Sequence, residues 1–66
     1  MAARTGEYRT LYRGLEDAEA AQVVEALTSE RIEYRIADGG TAIEVPATRV
    51  HEARMRVASR GLPSSS

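Results

Sequence analysis

The stretch YRIADGGTAIEVP, residues 34–46, constrains this chain more than any other. Two glycines behind an aspartate can turn the chain around or cradle a phosphate, and the flanks separate the two. Ile32, Tyr34 and Ile36 alternate with Glu33 and Arg35 before the glycines; Thr41, Ile43 and Val45 alternate with Ala42 and Glu44 after them. Alternation with period two on both sides of Asp-Gly-Gly is the pattern of a β-hairpin. A phosphate loop sets its glycines between a strand and a helix start, usually with a lysine nearby. This chain has no lysine. The spacing predicts strands near 32–37 and 41–45, the second stopped by Pro46, which has no N–H to pair.

Ahead of the hairpin, YRTLYRGL (8–15) reads as a short strand ending at Gly14. Leu11 lies on one side of it and Tyr8, Thr10 and Tyr12 on the other, so Leu11 is expected inside and the tyrosines at edges. In EDAEAAQVVEALTSE, the residues Ala20, Val23, Val24 and Leu27 recur at helical spacing. Glu16, Asp17 and Glu19 load the first turn with negative charge, which suits the helix dipole, and Leu15 can staple onto Ala20. A helix is predicted over Asp17–Ser29. A second helix is predicted from Thr48 to Gly61, with Val50, Ala53 and Val57 as its core stripe and Arg60, Gly61 and Pro63 as its stop signals.

The resulting order, βαββα, predicts an α+β fold: an open two-layer sandwich with two helices on one face of a three-stranded sheet. A right-handed first crossover would leave the return arm of the hairpin between the other strands, in the order 1-3-2. The expected shared core is Val23, Val24, Leu27, Ile32, Ile36, Ile43 and Val45. Residues 8–63 form the expected domain, 1–7 a disordered N-terminal segment, and 64–66 the start of a linker. The opening MAARTGE reads as a start added to a domain cut from a longer protein.

With 66 residues, no cysteine and one histidine, packing alone must hold the fold. Nine arginines against ten acids, mixed along the chain, give a net charge of −1 and no basic face for nucleic acid or an anionic membrane. No run approaches the ~20 apolar residues of a membrane span. Catalytic, cofactor-binding and metal-binding residues are all read as none, so the chain is not read as an enzyme. His51 has no nucleophile or orienting partner in the pattern. The acids at the first helix start match no calcium loop. The tyrosines lack a basic groove for stacking bases.

One feature is left over. On the second helix His51, Met55, Ala58 and Leu62 form a further stripe, rotated by roughly 100° from the core stripe. Either Met55 and Leu62 wrap the edge of a small core, or they meet a neighbouring subunit or domain. His51, Arg54, Met55 and Leu62 are therefore the candidate protein-interface residues.

Taken together, LYRGL before the first helix, YRIADGGTAIEVP across the hairpin and VHEARMRVASRGLP through the second helix resemble the first periplasmic ring-building domain of the flagellar MS-ring (M-ring) family. The injectisome inner-ring lipoprotein family shares the start and the GLP end but resembles this chain less in between. The resemblance covers residues 8–63; Glu16 departs from it, where the family often has Ser or a similar cap. It implies a structural module of the flagellar basal body, in the periplasmic part of an inner-membrane ring that houses the type III export gate. The implied partners are other copies of the protein in the ring and the export-gate, rod and rotor-switch proteins, with no cofactor. The isolated domain is expected to be monomeric, because linked copies in a ring need only weak individual contacts. The competing expectation is a free-standing βαββα ligand- or signal-binding module in the cytoplasm.

Overall fold

The computed structural model describes residues 6–63. The expected linker start and residues 1–5 of the expected disordered segment lie outside the described residues. Glu7 is tied in place, its carbonyl accepting a hydrogen bond from the Ala47 N–H at 2.9 Å. The elements are β1 (Tyr8–Tyr12), α1 (Asp17–Ser29), β2 (Arg35–Ala37), β3 (Ala42–Pro46) and α2 (Val50–Ala58), with 3₁₀ turns at Asp38–Gly40 and Ala47–Arg49. The sheet order is β1-β3-β2 and both pairings are antiparallel. The chain thus leaves β1, crosses through α1, and lays β3 into the gap between β1 and β2.

The core sits on one face of β3. Ile43 and Val45, two apart and therefore on the same side of the strand, have no solvent exposure. Val23 and Leu27 from α1 and Ala53 and Val57 from α2 are equally inaccessible and belong to the same cluster. Both helices therefore cover that face. Glu44, between the two, turns to the open face in a row with Thr10 and Arg35. There the Arg35 guanidinium lies 4.0 Å over the Tyr8 ring, whose hydroxyl donates to Glu33 at 3.2 Å.

Ile36 departs from the expected core. It pairs directly with Ile43 and so shares the helix-facing side, yet it is 57% exposed. β2 is a three-residue edge strand, whereas the helices bear on β3 and, for α2, on β1. Their cover stops short of Ile36. Val24, also expected in the core, is half-buried against it, while Ala26 turns fully inward.

Ile32 is buried as expected, but not in a strand. Arg31 takes a left-handed φ of 61°. Its N–H reaches the Thr28 carbonyl at 3.0 Å, and the Ile32 N–H reaches that of Leu27 at 2.9 Å. This is the Schellman ending of a helix, in which the residue after the left-handed position folds back onto the last turn. It uses up Ile32 and delays β2 to Arg35. An arginine in that conformation costs about 1–2 kcal/mol relative to its right-handed state.

Two further local features set the sheet. In β1 the register slips between Thr10, opposite Glu44, and Tyr12, opposite Ile43. This bulge at Leu11 breaks strict alternation. Leu11 is buried and Tyr12, expected at an edge, is partly buried against the core. In the hairpin, Asp38, Gly39 and Gly40 have φ of 54°, 66° and 104°, values that glycine adopts freely and aspartate tolerates. The α1 start is closed by the Glu19 carboxylate, which accepts the Glu16 N–H at 3.0 Å.

The pair Ile43 and Ile36 gives a direct test of this packing. Ile43→Ala is expected to cost about 2–5 kcal/mol, most of the stability of so small a domain. Ile36→Ala, one strand over, is expected to cost no more than about 0.5 kcal/mol. Thermal or urea unfolding of the two variants measures the contrast, and equal losses would mean that β2 is covered.

Candidate interface surface

The outward side of α2 follows from how its other sides are used. Ala53 and Val57 are buried and Val50 is half-buried, which fixes the side that meets the sheet. Arg56 and Arg60 reach Glu30 at the end of α1, at 3.8 and 3.3 Å, and so mark the side towards α1. His51, Arg54 and Met55 are left exposed, Met55 at 59%. His51, Glu52, Met55, Arg56 and Ser59 line a shallow hollow of about 410 Å³. Arg49 holds Glu52 at its rim through an Nε to Oε1 hydrogen bond of 3.1 Å.

Leu62 does not share this surface fully. Gly61, at φ 77°, sends its N–H to the Ala58 carbonyl at 2.9 Å, and the Leu62 N–H reaches that of Val57 at 3.3 Å. α2 thus ends in the same motif as α1, and Leu62, partly buried, packs against the core. The signal was present in the sequence. Glycine followed by leucine just beyond a helix puts the leucine back on the last turn. His51, Arg54 and Met55 are thus exposed on α2, whereas Leu62 is partly buried.

Among the described residues no group of three His, Asp or Glu side chains is placed to hold a metal ion. A second shallow hollow, of about 520 Å³, is lined by Tyr8, Thr28, Arg31, Ile32, Glu33 and Tyr34. Its one polar pair, Tyr8 with Glu33, is already satisfied internally.

Burial pushes the Tyr12 phenol above its ordinary pKa of 10.0, and the nearby Arg54 charge partly offsets that rise. A raised folded-state value means that the neutral phenol's contribution to stability is complete below pH 10.0 and is lost as pH rises through the folded value. Arg54→Ala should move Tyr12 further up, because the attractive charge is gone and the burial remains. Ultraviolet titration of tyrosinate, in a background where Tyr8 and Tyr34 are Phe, reads the shift. A downward shift or none would place Arg54 away from β1.

Comparison with known proteins supplies the family. The model of the FliF N-terminal domain matches residues 8–62. The flagellar M-ring protein of Salmonella typhimurium is 51% identical over 61 residues, covering 92% of this chain and 11% of that protein. The flagellar M-ring protein of Escherichia coli is 46% identical over 61 residues, with the same coverage of 92% and 11%. That of Bacillus subtilis is 34% identical over 55 residues, covering 83% of this chain and 10% of that protein. The chain spans about a tenth of the length of these relatives. On this match across nearly its whole length, the chain belongs to the FliF N-terminal domain family of flagellar M-ring proteins.

Proposed function

We propose that this domain is a structural assembly module of the flagellar basal body MS ring. The observation that carries this reading is the family match over residues 8–62, joined to relatives that are named flagellar M-ring proteins. In this reading the domain contributes to the periplasmic part of an inner-membrane ring around the type III export gate. Other copies of the same protein are its immediate partners; the export-gate, rod and rotor-switch proteins are partners of the whole assembly. Among the described residues no helix is long and apolar enough to cross a membrane. The domain acts by packing and not by catalysis, a role that suits its single exposed histidine and mixed surface charge. The free-standing cytoplasmic module draws no support from relatives of which this segment covers 11%.

His51, Arg54 and Met55 form the contact surface in this reading. An exposed methionine ringed by charged side chains has the composition of a small contact patch with a polar rim. Met55→Glu leaves the core untouched but sets an unpaired charge where a neighbour would exclude water. In the full-length protein it is expected to reduce ring yield, seen by electron microscopy, while the melting temperature of the domain stays within a few degrees of the parent. Unchanged rings would make this surface plain solvent-facing helix, and a large loss of stability would make Met55 part of the core.

A further inference from the structure

The soft donor atoms of this domain fall on one helix. The chain has no cysteine and one histidine, and Met55 is its only methionine beyond Met1. His51 and Met55 are four residues apart in α2, both are exposed, and both line the hollow of about 410 Å³. Residues four apart on a helix are surface neighbours, with Cβ atoms about 5–6 Å from each other. Long helical side chains also lean towards the N-terminus, which directs Met55 towards the turn carrying His51.

Neither side chain is committed elsewhere: among the described residues His51 and Met55 make no side-chain hydrogen bond, and His51 makes no ion pair. The other groups on the hollow are in use. Arg49 holds Glu52 at 3.1 Å, Glu30 holds Arg56 at 3.8 Å, and the Ser59 hydroxyl donates to the Arg56 carbonyl at 2.8 Å. An imidazole nitrogen and a thioether sulfur are therefore the donors left free.

The chemistry of that pair is selective. Thioether sulfur is a soft ligand that selects Cu(I), and imidazole suits copper as well. Calcium and magnesium require several oxygen ligands, and structural zinc takes four ligands. Among the described residues no such group of His, Asp or Glu side chains is present. Bonds of about 2.0 Å to nitrogen and 2.3 Å to sulfur set the two donor atoms about 4 Å apart across an ion, a span that i,i+4 neighbours reach. Methionine, with three rotatable bonds, adjusts to it. Both donors are neutral and the hollow is shallow, so a single positive charge there stays in contact with water and avoids the cost of burial.

We propose that His51 and Met55 form a two-donor site for a soft monovalent metal ion, Cu(I) or its redox-stable analogue Ag(I), one ion per domain. The site goes beyond the ring-module reading and does not depend on it. Silver nitrate titrated into the 66-residue chain, in buffer free of chloride and thiols, tests this through the methionine methyl and histidine ring signals in NMR spectra. The Met55 methyl and the His51 ring are expected to move together and to saturate at one ion per chain. The Met55→Leu spectrum identifies the Met55 methyl and so separates it from Met1. His51→Ala and Met55→Leu alter exposed positions and are expected to keep the fold, checked by circular dichroism. Each is expected to weaken silver binding at least about tenfold, since one of two ligands is gone. Magnesium is expected to move neither signal. No movement, movement of only one of the two signals, or undiminished silver binding in either folded variant would overturn the proposal.

Discussion

Two side chains on one strand, Ile43 and Val45, hold this domain together. They are the inward residues of β3, the strand hydrogen-bonded on both edges, and both helices bear on them. A domain of this size buries only about 60% of the surface its unfolded chain exposes, so it cannot spread its core widely. Concentrating the burial on β3 has two consequences. α1 and α2 must lie next to each other to share one narrow strand, and the flanking strands receive less cover. The exposure of Ile36, directly beside Ile43, follows from that geometry.

The helix ends decide which apolar residues remain for the outside. Both helices close through a left-handed residue, Arg31 or Gly61, and both return the next side chain to the core, Ile32 or Leu62. Each ending satisfies carbonyls that would otherwise be orphaned and contributes an apolar contact in the same step. With Leu62 drawn inward, Met55 stands on the outer face of α2 among charged neighbours. The candidate contact is therefore smaller and more polar than a full apolar stripe, in keeping with a contact repeated many times rather than one strong enough to dimerise the domain.

Periodicity made the element order, the strand order and most of the core legible. The alternation around Asp38-Gly39-Gly40 set the hairpin, and the stripes of α1 and α2 named Val23, Leu27, Ala53 and Val57. What escaped was determined by geometry at element ends. Ile32 and Ile36 read as equivalent positions of one alternating strand, but one belongs to a helix ending and the other to an uncovered edge. Arg31 hid that ending because the left-handed position is usually glycine. The bulge at Leu11 hid the inward turn of Tyr12, since a shift of register changes which side chains share a face. Of the second stripe read on α2, His51, Met55 and Ala58 are exposed while Leu62 is drawn inward, and the pairing of Arg56 and Arg60 required the position of Glu30.

In the proposed ring, the helix layer holds the domain on its inner side and meets neighbouring copies on its outer side. Amide hydrogen exchange on the full-length protein, before and after ring assembly, tests it most directly. Protection of the β3 amides at Ile43 and Val45 should already be high before assembly and change little. Protection should rise on assembly along α2 around His51–Met55. A gain confined to the open sheet face, around Thr10, Arg35 and Glu44, with both helices unchanged, would contradict the claim.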